Sequence, residues 1–326
     1  MNFSVIICTF QRPAAMDRLM RSITGQSLYP DEILVVDGSK DDDTKILFQS
    51  ESFLNLKYFH VEPKDRGLTK QRNFGISKAK KDIICFLDDD VVLELEYFKN
   101  LIESYEEFRN TIGVGGYITN QVNWKETKRK PTFREFKFDG WIRDMGSRYS
   151  FRKIFGLLSD RPPGFMPSFS NGYPISFLPP SGRTYPVEFF MGGVASYKRE
   201  VFEKLKFSEY FEGYGLYEDM DFCLRVSELG QLYVNTNAKL QHLHDENARP
   251  NKYHYGKMVI RNGWYVWRVK FPKPSMQARF KWHSVAFLLL LVRVSNVLNT
   301  SQSEEAFFES LGRITGWISL FFKTPE

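Results

Sequence analysis

The chain has 326 residues, is 42% hydrophobic and 26% charged, and carries a net charge of +6. This describes a globular protein with a sizeable core, one large or two small domains long. Its cysteines, Cys8, Cys85 and Cys223, sit among apolar neighbours, which excludes a disulfide framework or a Cys-based zinc site and favours a reducing compartment. The charge is uneven: from Asn247 to Ser303 there are ten Lys or Arg and no Asp or Glu, so the rest of the chain is net acidic.

The start of the chain has no basic n-region and no cleavage site, so Phe3–Phe10 is expected as a strand rather than a signal peptide. Its apolar run is broken by Gln11-Arg12-Pro13. Ala14–Thr24 then shows helical spacing through Met16, Leu19, Met20 and Ile23. Glu32–Asp37 predicts a second strand ending in the turn Asp37-Gly38-Ser39. A helix over Asp41–Phe53, a strand over Leu56–Val61, a helix over Gly67–Ala79 and a strand over Ile83–Leu87 follow. Strands alternating with helices predict a doubly wound, mainly parallel α/β sheet. Ligands of such sheets bind beyond the carboxyl ends of the strands. Thr9, Asp37 and Asp88 all fall there.

Ile83–Leu87 is a continuous apolar run, suited to a strand buried on both faces, and Asp88, Asp89 and Asp90 follow at once. Clustered carboxylates raise one another's pKa, and a divalent cation removes that cost. Oxygen ligands suit Mg²⁺ or Mn²⁺. Residues two apart on a strand share a face, so Asp88 and Asp90 can point the same way. An acidic turn capping a helix over Leu93–Phe108 would account for the triplet equally well. Gly113–Tyr117 reads as a strand. Asn120–Pro186 loses regularity, with a basic Lys125–Arg134 and a Pro-, Gly- and Ser-rich Arg161–Pro186. Val187–Tyr197 is apolar around Gly192-Gly193, and Arg199–Leu205 reads as a short helix. A helix begins at Glu218-Asp219, where acidic residues also suit plain capping. Leu232–Val234 predicts a last strand, and Ala238–His244 leads out of the core.

Thr9-Phe10-Gln11-Arg12, Val35–Ser39, Gly67 with Arg72-Asn73-Phe74-Gly75, Phe86–Asp90, Gly192-Gly193, Glu218-Asp219 with Asp221 and Arg225, and His242 occur in one order. Together these motifs resemble the family 2 inverting glycosyltransferases of the GT-A fold, including those of bacterial surface-polysaccharide assembly, over about residues 3–245. The resemblance implies a nucleotide-diphosphate sugar donor, a UDP-sugar above all. It implies donor contacts from Thr9, Phe10, Arg12, Asp37, Gly67, Arg72, Asn73, Asp88 and Asp89. Asp90 and Asp88 would bind Mn²⁺ or Mg²⁺, with His242 or His244 as a further ligand. Asp219 would be the general base and Glu218 the alternative. Gly192, Gly193 and Arg225 would line the acceptor pocket. The acceptor would be a saccharide, lipid-linked or free.

These motifs place a glycosyltransferase domain over 1–246, with a donor half over 1–118 and an acceptor half over 119–246, and a basic helical extension over 247–326. In the extension, Arg249–Lys281 interleaves basic residues with Tyr and Trp, as membrane interfaces favour. Ser284–Val292 is apolar but stops at Arg293, short of a spanning helix. Phe307, Leu311, Ile314, Ile318 and Phe321 form an amphipathic stripe. Two helices packed on the catalytic domain, or a helix pair lying on an anionic membrane at the cytoplasmic face, both fit. A sugar-phosphate nucleotidyltransferase would need a glycine-rich loop after the first strand, and Thr9–Pro13 has no glycine; a P-loop is lacking likewise. A non-catalytic carbohydrate- or nucleotide-binding protein would not need the Asp triplet and Glu218-Asp219 together. A pI near 9.0 suggests nucleic acid, but no motif supports it.

Overall fold

The apolar runs near the start become the expected strands. The computed structural model describes residues 1–211, 213–243, 251–299 and 301–325. In chain order come β1 (Phe3–Thr9), α1 (Pro13–Thr24), β2 (Glu32–Asp37), α2 (Asp43–Ser50), β3 (Leu56–His60), α3 (Leu68–Lys78), β4 (Ile83–Asp88), β5 (Val91–Leu93), α4 (Tyr97–Glu107) and β6 (Thr111–Ile118). Then follow β7 (Lys125–Glu126), β8 (Glu135–Phe138), β9 (Trp141–Asp144) and α5 (Ser147–Ile154). After them lie β10 (Thr184–Val187), β11 (Val194–Lys198), α6 (Val201–Lys204), α7 (Glu218–Val226) and β12 (Gln231–His242). The last helices are α8 (Lys252–Lys270), α9 (Met276–Asn299) and α10 (Ser303–Ser319).

The chain divides into two compact units, Met1–Val122 with Pro180–Ala248, and Asn123–Pro179 with Arg249–Glu326. The expected acceptor half is thereby shared between them.

The first unit is built on a sheet of strand order β10-β12-β6-β11-β4-β1-β2-β3, with β5 added on β12. β3, β2, β1 and β4 run parallel, and β12 runs parallel to β6. β11 is antiparallel to both of its neighbours. In register, Thr9 lies opposite Asp37, and Cys8 opposite Asp88, so the polar ends of β1, β2 and β4 are adjacent. One core buries Val5, Ile7, Val35 and Leu87 with Met16 and Leu19 of α1 and Phe98 and Leu101 of α4. This is the GT-A α/β arrangement expected from the sequence.

Two departures from the sequence reading position the site. The helix expected from Leu93 starts at Tyr97, because Val91–Leu93 pairs antiparallel with Leu240–His242. The last strand is also far longer than Leu232–Val234. A register shift between Val234 and Lys239 lets β12 pair along β6 and continue to β5. The outcome is that His242 lies opposite Val91, next to Asp90.

In the second unit, the stretch read as irregular contains a sheet of order β7-β9-β8. Asp139 and Gly140, both at positive φ (45° and 80°), turn β8 into β9. Asp-Gly is the residue pair such tight turns select, so the hairpin had a sequence signal. Gly256 and Gly312 let α8 and α10 touch backbone to backbone: a Cβ on Gly256 would strike the Glu309 carbonyl, and one on Gly312 that of Tyr253. The apolar segment read as nine residues long lies within α9. Met276–Leu298 is long and apolar enough to cross a membrane by length and composition, which corrects the shorter estimate. Arg293 does not end it, because its guanidinium is paired with Glu309 on α10 at 2.7 Å.

Candidate metal and transfer site

Asp88 closes β4, and Asp89 and Asp90 make the turn into β5. One ligand atom each from Asp88, Asp90 and His242 lie within 4.8 Å of one another. His242 Nε2 is 3.0 Å from Asp90 Oδ1. Asn120 fixes the His242 backbone from both sides, accepting from its N–H at 3.0 Å and donating to its carbonyl at 2.9 Å. Gly193 makes room for this cluster, since a Cβ there would fall on the Asp88 carboxylate. Its carbonyl accepts from the Asp88 N–H at 3.0 Å. Two carboxylates and an imidazole converging at a strand end fit a divalent cation. His244, the rival ligand in the sequence, lies outside the described residues.

Asp89 is turned the other way. It accepts from the Thr9 hydroxyl at 2.7 Å and from Arg12 Nη1 at 2.9 Å. Burial raises its pKa to about 6, against the pull of Arg12 and Thr9. Arg12 Nη1 also lies 3.6 Å from Asp90, so it ties the turn together. Asp37 is fully buried: its carboxylate accepts from the Ser39 N–H at 2.7 Å and from the Tyr58 hydroxyl at 2.6 Å. Phe10 is half-buried in the bend after β1. Gly67, at φ 116°, precedes α3 and donates to Gln71 Oε1 at 3.2 Å. The Gln71 amide in turn donates to the carbonyls of Thr9 and Val36 at 3.1 and 2.9 Å, pinning β1 to β2. Sequence reasoning missed Gln71 and Tyr58. The signal for Gln71 was its place four residues after Gly67, one helical turn along and beside the quoted Arg72.

Arg72 is 3% exposed and carries the charge balance. Its Nη1 reaches Glu218 at 2.5 Å and its Nη2 reaches Asp88 at 3.4 Å. The guanidinium also lies over the rings of Phe86 and Phe207. Burial works against its charge, but Glu218 and Asp88 outweigh this and hold its pKa up. Burial pushes the Glu218 carboxyl up to about 8, with Arg72 opposing. The neighbouring Asp219 is half-buried. Its oxygens accept from the N–H groups of Met220 at 2.7 Å and Gly192 at 3.3 Å, and burial raises its pKa against them. Gly192 lies close to Arg72 and Glu218, where a Cβ would crowd both.

Two of the expected site residues also make framework contacts. The Asn73 side chain bonds the N–H and carbonyl of Phe207, at 3.0 and 2.9 Å, fastening that loop to α3. Arg225 binds Asp221 at 2.6 Å and the Lys206 carbonyl at 3.1 Å. The i,i+4 spacing on α7 explains the first of these pairs.

A parallel-rich sheet whose strand ends gather a group able to hold a metal and a buried Arg–Glu pair is the arrangement of the GT-A class. The family model described as Glycosyl transferase family 2 matches residues 4–206, and the chain belongs to that family. A second model, described as N-terminal domain of galactosyltransferase, matches residues 174–244, the segment carrying Gly192, Asp219 and His242. A glucosyl-dolichyl phosphate glucuronosyltransferase of Haloferax volcanii is 26% identical over 138 residues, 41% of this chain and 42% of the relative. A GalNAc(5)-diNAcBac-PP-undecaprenol beta-1,3-glucosyltransferase of Campylobacter jejuni is 34% identical over 91 residues, 27% of this chain and 29% of the relative. The likeness thus spans less than half the length of either. The mannosyltransferase PcManGT from Pyrobaculum calidifontis, solved with GDP-Man and Mn2+, matches 98% of this chain and 87% of its own with a TM-score of 0.55. At 12% identity that likeness is one of fold.

Proposed function

We propose that the protein is a metal-dependent inverting glycosyltransferase that moves a sugar from a nucleoside-diphosphate sugar to an acceptor hydroxyl. The observation that carries this reading is the convergence of Asp88, Asp90 and His242 at the end of β4, within the unit that also holds Asp219. A divalent cation held by those three residues would neutralise the departing nucleoside diphosphate. The imidazole favours Mn²⁺ over Mg²⁺, which prefers an all-oxygen shell.

Asp219 acts as the base. The acceptor oxygen attacks the anomeric carbon, the bond to the diphosphate breaks, and the hydroxyl proton passes to the Asp219 carboxylate. A single displacement inverts the anomeric centre. Two backbone N–H groups aim the carboxylate, and burial raises its basicity. Asp219 is favoured over Glu218 because Glu218 is 5% exposed and bound to Arg72. Arg72 couples the Asp88 carboxylate to the Glu218 one, and the fixed cation suits a diphosphate nearby. Asp37 and Thr9 bound the nucleoside end. A UDP-sugar is the favoured donor and a saccharide, free or lipid-linked, the acceptor; the Campylobacter relative is named for an undecaprenol-linked one. The outward apolar faces of α9 and α10 support work at an anionic membrane surface, and the free thiols support its cytoplasmic side.

The test is a panel of nucleotide sugars with Mn²⁺ or Mg²⁺, scored for transfer, hydrolysis and thermal stabilisation. One donor should stabilise the protein only with metal. A panel in which no nucleoside diphosphate binds with either metal refutes the assignment.

A further inference from the structure

In the second unit, two guanidiniums share one carboxylate, and a third cation stands on a helix packed beside them. Glu309 Oε1 accepts from Arg313 Nε at 3.0 Å and Nη2 at 2.7 Å. Glu309 Oε2 meets Arg293 Nη2 at 2.7 Å. All three side chains are nearly enclosed, with 7% of Glu309, 7% of Arg313 and 13% of Arg293 exposed. Arg293 Nε is buried with no hydrogen-bond partner among the described residues. The third cation is Arg148 on α5, which packs against α9. Partial burial, then Arg313 and Arg293, push its pKa down. Among the described residues Arg148 has no carboxylate within ion-pair distance, and it is exposed.

One carboxylate cannot offset the two enclosed cations, and Arg148 adds a third positive charge at the surface. Enclosing an uncompensated guanidinium is costly, and the cost is removed by an anion that accepts from several N–H donors at once. Phosphate does this, since guanidinium donors match its oxygens in pairs. The surroundings say where such a phosphate comes from. On α9, Met276, Phe280, Phe287, Leu291, Val294 and Leu298 are exposed and fall on one helical face. On α10, Phe307, Leu311, Ile314 and Ile318 do the same, while Glu309 and Arg313 are buried behind them.

We propose that Arg148, Arg293 and Arg313 bind the terminal phosphate of a membrane lipid whose chains lie along the outward apolar faces of α9 and α10. The lipid half of this assignment rests on the membrane reading given above; the anion half rests on the arginines alone. In the polyprenyl series, a monophosphate or diphosphate head would present the same group.

Flotation of the full chain tests it, on neutral phosphatidylcholine vesicles and on vesicles containing phosphatidic acid or phosphatidylglycerol at equal surface charge. The wild type should bind phosphatidic acid about tenfold more tightly than phosphatidylglycerol, as charge-assisted hydrogen bonds predict. Arg148→Gln should remove that preference, because Arg148 holds no helix in place. Lys273→Gln, which removes one exposed charge elsewhere on the unit, should keep it. Equal binding of the two acidic lipids, or a preference that survives Arg148→Gln, overturns the phosphate site while leaving membrane binding standing. No binding to any vesicle removes the membrane reading and the lipid assignment together. Thermal stabilisation by inorganic phosphate that Arg148→Gln abolishes, without a lipid preference, shows a free-phosphate site and overturns the lipid assignment.

Discussion

Replacing Gly193 with Ala tests the metal group without touching a ligand. The backbone of Gly193 is part of the junction with β4, its carbonyl accepting the Asp88 N–H at 3.0 Å. An added Cβ would coincide with the Asp88 carboxyl group, and neither backbone can retreat without breaking the pairing of Val194 with Leu87. The Asp88 side chain must therefore rotate out. It loses Arg72 Nη2, now at 3.4 Å, and leaves the group that brings it within 4.8 Å of Asp90 and His242. Overpacking of this kind costs about 1–3 kcal/mol of stability. Losing an outer-shell support lowers metal affinity about 10–100-fold, and displacing a ligand should cost no less. Calorimetric titration of Mn²⁺ in the presence of a nucleoside diphosphate reads the affinity, and a thermal melt reads the stability. Gly146→Ala is the control: its Cβ would meet nothing within 4 Å, so both readings should stay at wild type. If Gly193→Ala binds Mn²⁺ as the wild type does and melts at the same temperature, Asp88 is not held where the structure has it, and the metal group loses a member.

Asp219→Asn should keep donor affinity and lose about 10²–10⁴ in kcat, the range for a general base; steady-state kinetics with unchanged turnover would pass the role to Glu218. Asp90→Ala should abolish metal-dependent binding of nucleoside diphosphate, since it also frees His242 from its 3.0 Å contact; calorimetry with an unaltered metal dependence would contradict this. Phe307→Glu with Ile314→Glu should release from anionic vesicles the fraction that high salt leaves bound, read by flotation. His283 Nδ1 accepts from Trp317 Nε1 at 2.8 Å, and burial, then Arg279, lower its pKa. The folded form therefore resists the proton more than the unfolded chain does, so His283 should cost stability as pH falls through about 6.5 and below. The decline should be smaller in His283→Gln, as followed by thermal melts across that range.

The donor side of the fold was legible because its signals are local. Each buried strand is a short apolar run, and each polar end follows directly in sequence. Thr9, Asp37 and Asp88 could be assigned to one edge before any pairing was known. What escaped was set by partners distant in the chain. Asp89 looks like its neighbours in sequence, yet Thr9 and Arg12 draw it away from the metal group. Gln71 has no chemistry of its own to mark it, and its importance comes from reaching two strands at once. Arg72 and Glu218 are 146 residues apart, so their pairing at 2.5 Å could not be read from spacing. The β8–β9 hairpin was readable in Asp139-Gly140, but the strands it joins are four residues each and half charged, with no apolar run to mark them.

In the C-terminal helices the amphipathic stripe of α10 was legible and the apolar length of α9 was not, because a charge was taken to interrupt it. In α10 the stripe Phe307, Leu311, Ile314 and Ile318 faces out, while Ala306, Gly312, Arg313 and Gly316 are buried. Small residues face inward because α8 and α10 meet at backbone distance, where Gly256, Gly312 and Gly316 leave room. Arg293 does not interrupt the apolar surface of α9, because it points to Glu309, so the apolar length is that of the whole helix. The unit keeps an apolar core in Trp264, Trp267, Trp282 and Leu290 and carries apolar stripes on the outside as well; those outer stripes, more than the count of basic residues, are the physical argument for the membrane surface proposed above.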